Sequence, residues 1–449
     1  MAFTFIIMDN MNLFIRNDKL GGPMKVIIIG NSAAGLSALE AFRIIDTVSQ
    51  VRVISKELPK PYSRVQLPYY LKDRVDMENL FIRHDSDVEE LNAEILIGQV
   101  TELDTTSKKI YLNTKQILAY DRLLICSGSL PFIPEILGIE SSGIHNIWTM
   151  EDALALKDAF ESQKRVLIMG GGFIAMQATW AAAQCSMETT LCVRSVIMRR
   201  DLDDHARDSL KERINTFGIT LMEGTMPEKI IPNADGTLRV IFSDTHSIVV
   251  DKIVSAVGVR PNTKFLEGSD IEIDGGVLVN DFMQTTVQDV FAAGDVAAAR
   301  TSCGNSHEVR ALWPCAVEQG AIAGQNLTGD QVAYQGSLNM NVTELFGLVI
   351  ASIGKFTQTE GFEAWTWYDQ KDGSYLSIFL DGGVPVGGIS LGHAGGVGIL
   401  GMLRPYIRYH RYLGEQRPDD LEQELQMKLF PGLYADSNRF AMTFSSQPG

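Results

Sequence analysis

The stretch KVIIIGNSAAGLSALEAF, residues 25–42, decides the fold of this chain. The β-branched run at residues 26–29 predicts a strand buried on both faces, as in a parallel sheet. Gly30 permits a tight turn after that strand, and Gly35 permits the next helix to pack close to it. The free N–H groups and the positive dipole end at the start of this helix suit a pyrophosphate. The pattern therefore predicts an α/β fold that binds a dinucleotide.

One such turn is weak evidence for a dinucleotide site, because Ser32 stands where the GxGxxG pattern has its middle glycine. An ordinary βα turn explains it about equally well. The stretch RVLIMGGGFIAMQATWAAA, residues 165–183, repeats the arrangement as GxGxxA with Gly170, Gly172 and Ala175. Two such units in one chain predict two dinucleotide sites.

A third stretch, TVQDVFAAGDV at residues 286–296, joins a Thr, a short apolar strand, Gly294 and Asp295. It resembles the second flavin motif of the pyridine nucleotide-disulfide oxidoreductase superfamily. In that superfamily the Asp accepts a hydrogen bond from a ribityl hydroxyl, so the resemblance implies bound FAD. The alternative is a solvated Asp in a turn.

The stretch PYSRVQLPYYL, residues 61–71, is similar to a segment of the NADH oxidase-like, nitrite reductase-like and rubredoxin reductase-like branch. In coenzyme A-disulfide reductases and NADH peroxidases this segment holds the single redox cysteine. Val65 takes that position here, so we expect no dithiol–disulfide catalysis. Arg64 remains as a cation for the flavin or its pyrophosphate, with a surface ion pair as the alternative.

The resemblance implies an α/β architecture of two Rossmann-like dinucleotide-binding domains, the second inserted in the first, plus an α+β C-terminal interface domain. We expect an FAD-binding domain in two parts, residues 24–150 and 275–330. An NAD(P)-binding domain would occupy residues 151–274, and a dimerisation domain residues 331–449. The relatives imply a homodimer.

The flavin carries the chemistry in such proteins, so we assign no catalytic protein residue and no metal. Glu57 is our candidate for the adenosine ribose, with a surface charge as the alternative. Cys126 is more simply a buried small residue than a reactive thiol. The residues expected at the flavin are Gly30, Ser32, Ala33, Ala34, Gly35, Lys56, Glu57, Arg64, Val100, Cys126, Ser127, Gly128, Gly294, Asp295, Trp313, Ala316 and Val317.

In the predicted NAD(P)-binding domain, Arg194 directly follows the strand-like run TTLCV at residues 189–193. NADH-using enzymes place an acid at the end of this strand. Arg194 and Arg200 resemble the two arginines that hold the 2′-phosphate in NADPH-using glutathione reductases, so we expect NADPH rather than NADH; the alternative is a surface arginine. Gln177 replaces a Glu that relatives often have near the nicotinamide. The residues expected here are Gly170, Gly172, Phe173, Ile174, Ala175, Gln177, Arg194, Arg200 and Gly258.

Composition excludes several other classes of protein. The 449 residues suffice for two or three domains, and the formal net charge of −16 argues against nucleic acid or an anionic membrane as a partner. The five cysteines form no CxxC or CxxxxC, which excludes a local redox disulfide, a zinc ribbon and an iron–sulfur cradle. Scattered thiols fit a reducing cytoplasm.

The first 23 residues lack the basic start, long apolar core and cleavage site of a signal peptide. We expect them to be an extension, with natural translation beginning at Met24. A peptide from residues 1–23 in the native protein would contradict this.

Three functions remain open. The first is a reductase that passes electrons from NAD(P)H to a small redox protein or an attached reductase subunit. The second is an oxidase or a reductase of a sulfur or nitrogen compound. The third is a flavin-bearing binding or assembly protein with little turnover, which the residues at positions 65 and 177 would permit.

A basic stretch near the C-terminus is unusual in so acidic a chain. Arg404, Arg408 and Arg411 recur at helical spacing, with His410 and Arg417 nearby. We expect either a docking face for an acidic redox partner or pairing across a dimer or with three acids of the tail. These acids are Asp419, Asp420 and Glu422.

Overall fold

The structure is a computed structural model that describes residues 22–84, 89–302, 306–355, 361–369, 373–392, 394–418, 421, 423 and 425. The proposed N-terminal extension, apart from its last two residues, and the tail acids Asp419, Asp420 and Glu422 lie outside the described residues. Among the described residues, every helix is too short or too polar to cross a lipid bilayer.

The α-helices include α1 (Ala33–Ile45), α2 (Leu67–Tyr70), α3 (Met150–Ser162), α4 (Phe173–Gln184), α5 (Asp204–Thr216), α6 (Trp313–Asn326) and α7 (Ala394–Arg408). Short 3₁₀ helices span Arg64–Gln66, Met77–Leu80 and Lys264–Leu266.

The strands are β1 (Lys25–Ile29), β2 (Gln50–Ser55), β3 (Ala93–Ile97), β4 (Val100–Asp104), β5 (Lys109–Leu112), β6 (Ile117–Ala119), β7 (Arg122–Ile125), β8 (Ser129–Pro131), β9 (Ile144–His145), β10 (Arg165–Met169), β11 (Glu188–Val193), β12 (Thr220–Glu223), β13 (Pro227–Pro232), β14 (Leu238–Phe242), β15 (Ser247–Val250), β16 (Lys252–Ser255), β17 (Val259–Pro261), β18 (Val277–Leu278), β19 (Val290–Ala292), β20 (Ala297–Arg300), β21 (His307–Val309), β22 (Met340–Leu345), β23 (Leu348–Gly354), β24 (Glu363–Tyr368), β25 (Tyr375–Asp381) and β26 (Val384–Gly392).

The first sheet is parallel and has the order β19-β7-β1-β2-β3. Its central strand β1 contains the β-branched run, and residues 26–29 are at most 6% exposed. The predicted doubly covered strand is therefore confirmed. Helices α1 and α6 pack together beside this sheet, because Gly320 and Gly324 bring α6 against the backbone of α1.

The second sheet is also parallel and has the order β12-β11-β10-β16-β9. The chain leaves the first sheet after β7, builds the second, and returns to the first at β19. Strands β8 and β17 lie on the two connections between these sheets and pair with each other in antiparallel orientation. The predicted α/β class with parallel sheets is confirmed by this arrangement.

The third sheet is antiparallel, with the order β22-β23-β26-β25-β24. One of its faces packs against α7 through Leu400, Leu403 and Ile407. Its other face contributes Ile350 and Phe379 to the core around the second sheet. Small antiparallel sheets β4-β5-β6 and β13-β14-β15, and the mixed sheet β18-β20-β21, complete the fold.

Candidate functional site

The first Gly-rich turn cannot accept a side chain at either of its glycines. Gly30 has φ +116°, and a Cβ there would lie 2.1 Å from the carbonyl oxygen of Cys126. A Cβ on Gly35 would lie 2.0 Å from the carbonyl oxygen of Gly30. The turn therefore presses α1 against the ends of β1 and β7, as the sequence pattern predicts.

The N-terminal turns of α1 and α6 meet at Gly294. A Cβ on Gly294, which has φ +79°, would lie 3.0 Å from the Ala34 Cβ and 3.6 Å from the Ala316 Cβ. The Gly294 N–H donates to Oε1 of Gln319 at 2.8 Å. Two helix N-termini, each with free N–H groups, thus face one narrow region at the edge of the first sheet.

Asp295 lies next to this junction and is partly buried. Its Oδ2 accepts a hydrogen bond from the Ser129 hydroxyl at 3.0 Å. Burial raises the pKa of Asp295, although the Ser129 hydrogen bond and the charge of Arg64 oppose this effect. A partly buried carboxylate beside two helix N-termini and side-chain-free glycines suits a ligand with both hydroxyl and phosphate groups. The residues present therefore fit FAD.

Glu57 and Arg64 form an ion pair on the same side of the first sheet. The Arg64 Nη2 lies 2.5 Å from Oε1 of Glu57, and the Tyr62 hydroxyl donates to Oε2 at 2.5 Å. Arg64 also donates to the carbonyl oxygen of Trp148. The carboxylate expected at the adenosine ribose is thus already engaged by two side chains, whereas Lys56 is exposed.

The remaining residues expected at the flavin are distributed between the junction and the core. Ser127 donates to the carbonyl oxygen of Asn262 at 2.9 Å, and Gly128 has φ +67°. Trp313 begins α6, where Pro314 occupies the first turn. Ser32 caps α1 without a side-chain bond, Ala33 and Ala34 are buried in α1, Val317 accepts from the Ser37 hydroxyl at 2.9 Å, and Val100 is a core residue of β4.

The second Gly-rich turn repeats the first at the end of β10. Gly170 has φ +128°, and a Cβ there would lie 2.2 Å from the carbonyl oxygen of Ala256. Gly172 caps α4 and has open space around it, as does Gly258 with φ +120°. Phe173 and Ile174 begin α4 at the surface, and Ala175 is buried. The open glycines suit close approach of a ligand to the backbone.

Arg194 and Arg200 lie on the loop after β11, and both are exposed. In the part of the chain that the structure describes, neither guanidinium takes part in an ion pair. The loop follows the end of a strand in the second sheet, beside the turn at Gly170. Ligands of open α/β sheets bind at such carboxyl edges. Among the same residues, no group of three or more His, Cys, Asp or Glu side chains could hold a metal ion.

The profile of a family described as pyridine nucleotide-disulphide oxidoreductase matches residues 24–320. This chain belongs to that family. The oxidoreductase is 30% identical over 373 residues to the NADH-dependent phenylglyoxylate dehydrogenase subunit epsilon of Aromatoleum evansii, covering 81% of this chain and 87% of the relative. It is 27% identical to the nitrite reductase [NAD(P)H] of Bacillus subtilis over 83% of its own length, but spans only 46% of that protein.

Two solved structures have the same fold. An engineered water-forming NADPH oxidase bound to NADPH superposes with a TM-score of 0.82 at 24% identity, over 93% of this chain and 100% of that chain. The water-forming NADH oxidase from Lactobacillus brevis bound to NADH superposes with a TM-score of 0.80 at 22% identity, over 93% and 100%. Members of the family bind FAD and NAD(P)H. The chain is therefore an NAD(P)H-dependent oxidoreductase that uses FAD.

A polar network that the sequence did not reveal surrounds Gln177 in this oxidoreductase. Its Oε1 accepts a hydrogen bond from the ammonium of Lys72. Its Nε2 donates to the Thr343 hydroxyl at 2.6 Å and to the carbonyl oxygen of Glu344 at 3.2 Å. Both ends of the amide thus have protein partners, and Gln177 is only 4% exposed. Lys72 directly follows the quoted LPYYL stretch, but nothing in its local pattern indicated burial.

The Lys72 ammonium is enclosed by aromatic rings as well as by this amide. It lies 4.1 Å from the ring centre of Trp180 and 4.3 Å from that of Tyr69. Burial lowers the pKa of Lys72 to about 8, and the nearby Arg74 acts in the same direction while Glu344 opposes it. The network therefore joins α2, α4 and β22 through one buried cation.

Three of the four thiols that the structure describes are poorly placed for redox chemistry. Cys126, Cys192 and Cys315 are buried and free. Burial raises the pKa of Cys126, that of Cys192 to about 12 and that of Cys315 to about 11. Thiolates are therefore disfavoured at all three. Val65 is 50% exposed, and Cys303 lies outside the described residues.

Two of the three arginines at helical spacing on and after α7 form ion pairs within the chain. Arg404 and Arg408 both bind the carboxylate of Glu318 on α6, the latter with Nη2 at 2.8 Å from Oε2. These ion pairs support the alternative of structural pairing, with Glu318 as the partner, and docking of a redox protein stays a prediction. His410 contacts the carbonyl oxygen of Ser302, and Arg417 donates to that of Thr366 at 2.6 Å. Arg411 is exposed.

Proposed function

We propose that this oxidoreductase takes electrons from NADPH, in preference to NADH, and passes them through FAD to a small redox protein or a partner reductase subunit. Bound FAD supplies the means of accepting a hydride and releasing electrons to an acceptor. In this proposal the turn at Gly30, the junction at Gly294 and the carboxylate of Asp295 hold FAD. The turn at Gly170 holds the pyrophosphate of NADPH.

The single observation that carries the choice of NADPH is that Arg194 and Arg200 are exposed and form no ion pair with any described residue. A guanidinium donates two parallel hydrogen bonds to a phosphate. Among the described residues neither guanidinium lies within ion-pair distance of a carboxylate, although the charge of Arg200 acts on the neighbouring Asp201. A 2′-phosphate is the group in NADPH, absent from NADH, that would pair with them.

The spacing of five residues in this chain, compared with the substituted positions of an engineered oxidase, supports the same choice of NADPH. The engineered NADPH oxidase differs from its NADH-using parent by five substitutions. The first replaces glycine by alanine. Three at consecutive positions replace aspartate by alanine, alanine by arginine and methionine by serine, and the last replaces proline by arginine. The intervals between these positions are those between Ala175, Val193, Arg194, Ser195 and Arg200. Apart from Val193, apolar like the introduced alanine, this chain has each introduced residue type.

Exchange of Arg194 tests this part of the proposal. An Arg194→Glu variant should lose NADPH preference, because a carboxylate repels a 2′-phosphate and accepts hydrogen bonds from a ribose diol. Loss of one charged hydrogen-bond partner costs about 1.5–3 kcal/mol, or roughly tenfold or more in kcat/KM. The measurement is the ratio of kcat/KM for NADPH to that for NADH. A ratio unchanged by Arg194→Glu would contradict the assignment, and Arg239→Glu on the exposed face of β14 is the control.

The acceptor proposal rests on the thiols and on Val65. A disulfide substrate needs an attacking thiolate, and the three buried cysteines disfavour that form. Relatives named as a dehydrogenase subunit and as an electron transfer subunit of nitrate reductase support transfer to a protein. A small-molecule oxidase is the alternative.

A panel of acceptors separates these possibilities. Reduced enzyme should transfer electrons to rubredoxin-like or ferredoxin-like proteins faster than to oxygen, nitrite or disulfides. Alkylation of the accessible thiols should leave this rate unchanged. Reoxidation by oxygen that outpaces every protein acceptor would favour the oxidase. Loss of protein reduction after alkylation, with FAD retained, would show that a thiol takes part.

We further propose the domain division 24–150 with 275–330, 151–274 and 331–449, a homodimer, and residence in the cytoplasm. Most strands of the three sheets support this division, although β9 (Ile144–His145) pairs with β16 of the second sheet before the boundary at residue 150. The homodimer and the location rest on family resemblance and on scattered free thiols. Light scattering of the purified protein tests the dimer, and a monomeric mass would contradict it.

A further inference from the structure

The loop after β11 combines exposed arginine side chains with buried apolar ones. Arg194, Arg199 and Arg200 are exposed. Between and after them, Ile197, Met198 and Leu202 are fully buried. The guanidiniums therefore project from a loop, here called the arginine loop (residues 194–202), whose apolar residues are pinned in the core around the second sheet.

A carboxylate at the end of β12 holds the middle of the arginine loop. Oε1 of Glu223 accepts a hydrogen bond from the N–H of Ile197 at 2.8 Å. Oε2 of the same carboxylate lies 2.8 Å from Nζ of Lys211 on α5. Glu223 is therefore a link between the loop and a lysine that offsets its negative charge.

A guanidinium on α5 holds the loop from the other side. Arg207 donates to the carbonyl oxygen of Ile197 at 3.1 Å and to that of Leu202 at 2.9 Å. Both peptide groups around Ile197 are thus bound by charged side chains, which form stronger hydrogen bonds than neutral partners do.

The arginine loop also rests directly on the second Gly-rich turn. The N–H of Met198 donates to the carbonyl oxygen of Gly171 at 2.6 Å. A Cβ on Gly171 would lie 2.6 Å from Cγ1 of Val193. Met198 itself has φ +48°, an unusual conformation for a non-glycine residue. The loop and the turn are therefore one rigid unit.

We propose that Glu223, Arg207 and Lys211 are positioning residues for selection of a 2′-phosphorylated dinucleotide. This inference rests on the proposed function, in which Arg194 and Arg200 bind the 2′-phosphate. Glu223 and Arg207 fix the loop before the ligand arrives, so binding does not have to order two long arginine side chains on a mobile backbone. Lys211 offsets the carboxylate of Glu223, which would otherwise repel a phosphate at this loop.

The test compares binding of 2′,5′-ADP with that of 5′-AMP to the FAD-loaded protein by calorimetry. Wild type should bind 2′,5′-ADP more tightly. Glu223→Ala should reduce that preference about tenfold, the loss expected for one charge-assisted hydrogen bond, without changing 5′-AMP affinity. Glu223→Gln retains an acceptor for the Ile197 N–H and should recover most of the preference. Glu228→Ala, on the exposed face of β13, is the matched control.

Lys211→Met provides a second test that leaves the hydrogen bond from the Ile197 N–H to Glu223 in place. It should weaken 2′,5′-ADP binding more at low than at high salt, and leave 5′-AMP binding unchanged. If wild type binds both nucleotides equally, the proposed NADPH preference is wrong. If wild type prefers 2′,5′-ADP but both Glu223→Ala and Lys211→Met keep that preference, the NADPH proposal stands and the positioning role is overturned.

Discussion

The ring of Phe346 lies 6.0 Å from that of Trp180, centre to centre. Phe346 is at the tip of the hairpin between β22 and β23, and Trp180 is on α4 beside the second sheet. Although it occupies a hairpin tip with φ +53°, Phe346 is fully buried, and it also contacts the ring of Phe217 at 5.4 Å. Phe346 thus packs the third sheet against the second, together with Ile350 and Phe379.

Phe346→Ala should lower the free energy of unfolding by about 3–5 kcal/mol, the cost of removing a buried phenylalanine and leaving a cavity. Urea unfolding measures this. Val342→Ala, on the same hairpin but 49% exposed, should change stability by less than about 0.5 kcal/mol. Equal stabilities of the two variants would show that the hairpin tip does not fasten the sheets.

Gly170 and Gly172 should respond differently to alanine, although they are two residues apart in one motif. Gly170→Ala places a Cβ 2.2 Å from a backbone oxygen in an unfavourable φ region, so we expect loss of folded protein or of several kcal/mol. Gly172→Ala meets open space, so stability should stay near wild type while NADPH binds more weakly. Thermal unfolding and NADPH titration measure the two effects. A fully stable Gly170→Ala protein would contradict the packing described here.

Asp295→Ala should weaken FAD retention by about 1.5–3 kcal/mol, because it removes a charged hydrogen-bond acceptor beside the junction at Gly294. The measurement is the dissociation constant of FAD after removal and reconstitution. Asp274→Ala, an exposed acid nearby in sequence, is the control and should retain FAD normally. Identical FAD affinity in both variants would remove Asp295 from the flavin site.

Lys72 should make stability depend on pH. Its pKa of about 8 in the folded protein lies below the usual value of 10.5. Between these pH values the unfolded chain binds a proton that the folded chain has released, so stability rises with pH. Below about pH 8 the folded protein bears the cost of burying the charge. The unfolding free energy of wild type, relative to that of Lys72→Met, should therefore increase as pH rises from about 8 to 10.5. A pH-independent difference would mean that Lys72 titrates normally.

The sequence predicted the parts of this molecule that local patterns determine. The run at residues 26–29 forms the central strand of the first sheet, because a short run of β-branched apolar residues favours a strand buried on both faces. Gly30 and Gly170 both have the positive φ and backbone proximity that the motif requires. These features involve residues close in sequence, or a conformation that one residue type adopts readily.

Pairings between distant residues could not be predicted in this way. Lys72 and Gln177 meet across 105 residues, and Arg408 reaches Glu318 across 90. No periodicity specifies which carboxylate or amide a cation meets after folding. The arginines on α7 therefore suggested a free basic face, whereas packing of α7 near α6 places a carboxylate against two of them.

Anaerobic reduction of the flavin in a stopped-flow instrument tests the central claim most directly. The purified protein with FAD bound should lose its flavin absorbance on mixing with NADPH, at a second-order rate well above that with NADH. Equal or faster reduction by NADH would contradict the assignment of Arg194 and Arg200 to a 2′-phosphate. Failure of both nucleotides to reduce the flavin would contradict electron entry from a nicotinamide altogether.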